Sequence, residues 1–351
     1  MTRALRPLAI AAALACAAAA LTACSDGGDR ADTVTLVTHD SFVISKPVQR
    51  AFERATGLEL RILRSGDAGA ALNQAILTKD RPLGDAFFGV DTTLLSRALE
   101  ADLFAPYRPA DAASIPSDLV IDRTGRLTSV DYGDVCVNYD VAHFAEGEER
   151  ALPSTLEDLA EPRFAQLLVV ENPATSSTGL AFMLASIARF GDRWLDWWSD
   201  LRDGGVKVVE GWEQAYNVEF SGSAGKGRYP LVVSYATSPP AEVIYADPRP
   251  TTAPTGNLDR TCFRQVETVG VLRNAEHPGA ARRLIDFMLT ERFQADVPLG
   301  MFVYPVRPGT PVPAEFTRYA GRPAEPFTVA PAEIARNRDR WIEQWTATVL
   351  R

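Results

Sequence analysis

TVTLVT at 33–38, LELRIL at 58–63 and DAFFGV at 85–90 are three short runs rich in β-branched and aromatic residues. What lies between them decides the fold. Val48–Thr56 reads as a helix closed by Gly57, Ala70–Leu77 as a second and Thr92–Glu100 as a third. Strand followed by helix, three times over, indicates a parallel sheet with helices on its faces. In open α/β sheets ligands sit outside the carboxyl ends of the strands. That rule singles out His39, Asp40 and Ser41 after the first run, Asp67 after the second and Asp91 after the third.

Working outward, residues 105–119 are proline-rich and loop-like, and Thr128–Tyr139 (TSVDYGDVCVNY) is extended. Leu156–Leu159 reads as a short helix, Leu167–Glu171 as a strand, and Gly179–Arg189 as a helix opened by Thr175-Ser176-Ser177-Thr178. Hydroxyl side chains at a helix start satisfy its free N–H groups, and that end attracts anions. Trp194, Trp197 and Trp198 form an apolar helical stripe that predicts core. Two further strands, Val206–Val209 and Leu231–Ser234, are followed by Trp212 and Tyr216 and by Tyr235, Thr237 and Ser238. Rings at strand ends next to small hydroxyl residues suit a pocket wall for a flat ligand, ordinary core packing being the alternative. Arg264–Leu272 is again extended, Pro278–Leu289 and Pro331–Val349 read as helices, and 300–306 (GMFVYPV) as a strand or turn. Trp341 and Trp345, four apart on the last helix, predict inward packing. The expected architecture is α/β with two lobes joined by two crossing strands and a cleft between them. Lobe 1 comprises residues 33–135 and 265–351, and lobe 2 residues 136–264.

The length of 351 residues suffices for two packed domains, and 46% hydrophobic with 23% charged residues fits a soluble globular protein. Arg3 and Arg6, the apolar run Leu8–Leu21 and then LTAC form a secretory leader of residues 1–23. Its apolar run is too short for a comfortable membrane span. LTAC is also a bacterial lipoprotein cleavage pattern, with Cys24 as the lipidated first residue and 24–32 as a flexible tether. A lipid anchor places such a protein on an extracytoplasmic membrane face without spanning it. Removing the leader takes two arginines and no acid, moving the formal charge from −9 to −11. This acidic balance argues against nucleic acid and is compatible with a cationic ligand. Cys136 and Cys262 remain on separate extended segments, as a disulfide or as two buried free thiols.

Motifs for catalysis and for metal are missing. There is no G-x-S-x-G, no H-E-x-x-H, and GSAGKG at 222–227 lacks the Ser or Thr that a phosphate loop needs. His39, His143 and His277 are the only histidines, none at ligand spacing. The sequence therefore predicts neither an enzyme nor a cofactor protein.

The chain resembles the bacterial extracytoplasmic solute-binding proteins that serve ABC importers, and within them the thiamine-binding branch. The resemblance rests on THDSF at 38–42, GVDTTLL at 89–95, DYG at 131–133 and TSSTGL at 175–180. It continues through EGWEQAY at 210–216, VVSYATSP at 232–239, QVE at 265–267 and YPV at 304–306. It implies a type II periplasmic binding protein-like fold and capture of thiamine or its phosphate esters. Delivery would be to a permease whose ATPase is a separate subunit, with the chain working as a monomer. It also implies ligand contacts at Asp67, Ala68, Ser176, Ser177, Trp212, Tyr235, Ala236, Thr237 and Ser238. Three family rings differ here: His39 and Phe302 stand at two, and the third is replaced around Ala241. A polyamine, another cationic heterocycle or ferric iron are the alternative solutes for the same fold. Polyamine sites use more carboxylates and iron sites paired tyrosinates.

Overall fold

The computed structural model describes residues 32–145, 151–321 and 323–351. The leader, Cys24 and nearly all of the tether lie outside the described residues. The strands are β1 (Thr33–Thr38), β2 (Glu59–Arg64), β3 (Ala86–Asp91), β4 (Phe104–Ala105) and β5 (Thr128–Asp140), then β6 (Leu168–Glu171), β7 (Lys207–Val209), β8 (Leu231–Tyr235), β9 (Thr255–Leu272) and β10 (Tyr304–Pro305).

The first three repeats form as their pattern predicts. β1 pairs in parallel with β2 over all six residues and with β3 on its other side. The intervening Lys46–Thr56 helix ends on Gly57 at φ 72°, a left-handed cap that favours glycine. A second parallel group, β8-β6-β7, lies at the opposite end of the sheet. The two groups are fused through β9 and β5, which pair with each other in antiparallel fashion. β3 joins β9, and β5 joins β8. The main order is β2-β1-β3-β9-β5-β8-β6-β7. The two parallel groups are thus joined by two long crossing strands that run through the middle of one mixed sheet, the arrangement expected from the sequence.

β9 begins at Thr255, nine residues before the stretch read as extended from sequence, so Cys262 lies inside the strand. The long β5 supplies the reason: it offers a ladder to residues 255–258 as well as to 263–269, with a register break at Val135/Val137. At that break Cys136 and Cys262 are bridged, Cα to Cα 4.1 Å, which resolves the two readings of the cysteines in favour of the disulfide. The tryptophans pack as their spacing predicts. Trp194, Trp197, Trp198, Trp341 and Trp345 are all buried, and Trp198 meets Trp345 edge-on at 5.3 Å. The indole N–H of Trp198 donates to Ser186 Oγ and that of Trp197 to the Leu156 carbonyl, so neither is left unsatisfied. Among the described residues no helix is long and apolar enough to cross a membrane.

Candidate ligand-binding site

The strand ends converge on a cleft of about 600 Å³. Two close approaches build it. Gly69 starts a helix (Ala68–Leu77) against the loop before the Ser177–Phe190 helix, where Ala70 N donates to Thr175 O at 3.0 Å. A side chain at 69 would stand 2.7 Å from that carbonyl, so only glycine allows the contact. Gly211 lets the backbone before Trp212 close on Asp67, whose Oδ2 lies 3.1 Å from where a Cβ would be.

Asp67 is the point where these segments meet. Its Oδ2 accepts from Trp212 N at 2.9 Å, and its Oδ1 accepts from Ser177 N at 3.2 Å and Ala68 N at 2.6 Å. Burial pushes its carboxyl up, and the Trp212 N–H and the charge of His39 pull it back. Sequence reasoning expected this acid to face the ligand directly. It does line the cleft, but both of its oxygens are already engaged by backbone donors.

One wall is aromatic. Trp212 stacks on Tyr216 at 5.1 Å and 10°, and Tyr235 meets Trp212 at 6.5 Å. The indole N–H donates to Ser234 Oγ, and Tyr216 OH donates to Glu242, so these rings are held by their polar handles. Across the cleft Phe302 stands edge-on to Tyr245 at 5.5 Å, and Tyr245 OH donates to Leu299 O at 2.6 Å.

The inner end is acidic. His39 Nε2 lies 3.4 Å from Glu267 Oε1, while its Nδ1 shares a hydrogen bond with Ser41 Oγ at 2.9 Å. Burial lowers the His39 pKa, but the Glu267 carboxylate, helped by the charges of Asp67 and Asp40, more than offsets it, and the net shift is upward. Behind Glu267, the strand register sets Asp91 on β3 and Asp131 on β5 beside it, one to each flank. Burial, then the Glu267 charge, hold the Asp131 carboxyl well above the usual range. Asp91 is pushed up to about 7, again mainly by burial.

Of the residues named from sequence, His39, Asp67, Ala68, Ser177, Trp212, Tyr235, Ser238 and Phe302 line the cleft. Ser176, Ala236 and Thr237 do not. Ser176 is buried as the cap of its helix, accepting from Gly179 N and bonded to Thr178 Oγ1. Ala236 packs against the disulfide, and Thr237 is fully buried. Sequence reasoning missed Glu267 as a cleft group, although it quoted QVE, and missed Tyr245. Tyr245 lies one helical turn beyond Ala241, and both residues line the cleft. The four-residue spacing was the available signal.

Residues 85–324 match the model of a family described as bacterial extracellular solute-binding protein. The chain belongs to this family. Over 323 residues it is 29% identical to the thiamine-binding periplasmic protein of Escherichia coli K12, covering 91% of this chain and 94% of that one. It is 28% identical to the thiamine-binding periplasmic protein of Brucella suis over 333 residues, covering 91% and 93%. Among solved structures it is similar to one titled periplasmic thiamin binding protein, with a TM-score of 0.80, 27% identity and 93% and 98% coverage. These relatives are named as periplasmic binding proteins. In a solute-binding protein of this fold, a cleft at the crossing strands with rings on two sides and acids at its base is a place to enclose a small, flat, cationic molecule.

Proposed function

We propose that this solute-binding protein is the thiamine receptor of an ABC importer, enclosing thiamine or a phosphate ester of it and presenting it to a permease. One observation carries the reading: the stacked Trp212–Tyr216 pair borders the same cleft as Asp67 and Glu267. Thiamine is a flat aminopyrimidine joined to a cationic thiazolium. Aromatic faces suit both rings, and a cation over such a face gains about 0.5–2 kcal/mol. The names of the relatives agree with this ligand. The Ser177 hydroxyl, at a helix start in the lining, is the group for the hydroxyethyl tail or its ester.

Capture works by hinge closure between a lobe of residues 33–135 and 265–351 and a lobe of residues 136–264. β5 and β9 act as the hinge, and Asp67 of the first lobe meets Ser177 and Trp212 of the second. The chain is a monomeric receptor without catalysis of its own, and ATP is hydrolysed by another subunit. Cys24 carries the lipid that holds it on the extracytoplasmic face of the membrane.

Calorimetric titration with thiamine, its mono- and diphosphate, ferric citrate and spermidine tests the reading. Submicromolar thiamine binding with silence from iron and spermidine is the expected outcome. Spermidine or iron binding in place of thiamine would overturn it.

A further inference from the structure

The chemistry of the cleft base goes further than the choice of ligand. Glu267 is flanked in register by Asp91 and Asp131, so three carboxyls stand in a row across β3, β9 and β5, all of them buried. Asp131 has no hydrogen-bond partner other than the Glu267 carboxyl beside it. Asp91 is better held: it accepts from Thr93 N, Thr93 Oγ1 and Leu94 N, and Gln265 donates to its other oxygen. Gln265 in turn accepts from Tyr235 OH at 2.7 Å, which links that acid to the cleft wall. Of the row, Glu267 reaches the cleft, and the group facing it there is His39.

His39 is placed as a counter-ion. Ser41 holds Nδ1, Nε2 lies 3.4 Å from Glu267 Oε1, and the ring is packed against Phe88 and Phe42. Gly89 leaves room for it, since a Cβ there would lie 2.8 Å from the ring. The other charged groups acting on His39 are Asp67, ahead of the Ala68 helix, and its neighbour Asp40. Arg338 feels the charge of Asp91, and Glu171 that of Asp67. The charges acting on His39 are thus all acidic, Glu267, Asp67 and Asp40, with Asp91 and Asp131 flanking Glu267 in register.

We propose that Glu267 is the anionic subsite for the cationic centre of the ligand and that protonated His39 occupies its place while the cleft is empty. Capturing a cation then releases the His39 proton. The proposal rests on the reading that the ligand is cationic. The balance is simple: one positive charge enters beside Glu267 and one proton leaves His39 Nε2 for solvent, so the local charge is unchanged. Two cations at one buried carboxylate repel, and the imidazolium is the one that can discharge at neutral pH. The bound form holds fewer protons than the free form. Affinity for the cation therefore rises with pH, by up to about tenfold per unit, until His39 is neutral in the free protein, and is flat above that.

The test is calorimetry of thiamine binding at pH 7 in buffers of different ionisation enthalpy, with the imidazole signals of His39 followed by NMR. Net proton release on binding, lost in His39→Gln while binding persists, is the expected result. Glu267→Gln is expected to weaken thiamine binding by on the order of 30-fold or more and to lower the titration midpoint of His39 in the free protein. Thiamine binding without proton release, or with release unchanged in His39→Gln, overturns the proposal. Failure of thiamine to bind at all sinks the receptor reading instead. Tetramethylammonium then decides this proposal: it must lower the His39 midpoint relative to sodium chloride at equal ionic strength, and an unmoved midpoint overturns it.

Discussion

Replacing Asp67 by Ala removes the side chain that ties the two sides of the cleft together. Its oxygens accept from Trp212 N at 2.9 Å and Ser177 N at 3.2 Å, donors 145 and 110 positions away along the chain. Hydrogen bonds to a charged acceptor contribute about 1.5–3 kcal/mol each. Burial works against the ionised form of Asp67, so the lower end applies, and the two bonds together are worth roughly 3 kcal/mol. That is about 150-fold in the closure equilibrium, and where the open form dominates the empty protein, ligand affinity falls by the same factor. Asp67→Asn keeps one acceptor and is expected to lose about tenfold. Calorimetry measures the affinity, and solution scattering reports whether saturating ligand still compacts the protein. A thermal melt separates closure from damage to the Ala68–Leu77 helix, whose start Asp67 also bonds. If Asp67→Ala binds within about fivefold of the unaltered protein, the two bonds do not set the closure equilibrium and the reasoning is wrong.

Two further outcomes concern stability. The Cys136–Cys262 bridge spans 126 residues, and in the chain-entropy model a loop of that length contributes about 5 kcal/mol. The double substitution to Ala should therefore lower the guanidinium unfolding free energy by about that much, and a loss below about 1 kcal/mol would contradict the entropic account. The second outcome is a pH dependence. Asp91 is pushed up to about 7 by burial, against about 4 in an unfolded chain, so the folded state keeps a proton that the unfolded state has lost. Its contribution is complete below pH 4 and disappears as the pH rises through 7, about 4 kcal/mol in all. Asp131 and Glu171, raised by burial, act in the same direction, as does His39, whose contribution is lost as the pH rises through its raised folded value. The urea midpoint should be lower at pH 8 than at pH 5.5, and an equal or higher value at pH 8 would show that these acids are not buried as described.

How far the site was legible before folding depended on how far apart its parts lie. The three strand–helix repeats at 33–100 are local patterns, and of the residues at their strand ends His39, Ser41 and Asp67 line the cleft while Asp40 and Asp91 do not. The rings of Trp212 and Tyr235 could be read the same way, because each follows its own strand directly. Asp67 was found but its partners were not, since nothing near residue 67 announces a backbone N–H from residue 212. Ser176 and Ala236 lie off the cleft lining for a related reason. Alternate residues on a loop or strand end face opposite ways, so Ser177 and Tyr235 reach the cleft while Ser176 caps a helix and Ala236 meets the disulfide.

The carboxyl row shows where sequence reading ends and why the fold tolerates what it contains. Asp91, Asp131 and Glu267 are spread over 176 positions, and only the register of β3, β9 and β5 brings them side by side. Buried like charges at this spacing oppose folding unless protons or cations are shared among them. A purely structural core would replace them with apolar residues at a gain in stability. Their place at the crossing strands, with Glu267 opening on the cleft, connects that stability cost to the cationic ligand: whatever positive charge the cleft admits relieves a repulsion already built into the empty protein. By the same linkage, a cation that binds only the closed form also stabilises the folded chain, and more strongly as the pH rises to the point where His39 is neutral in the free protein.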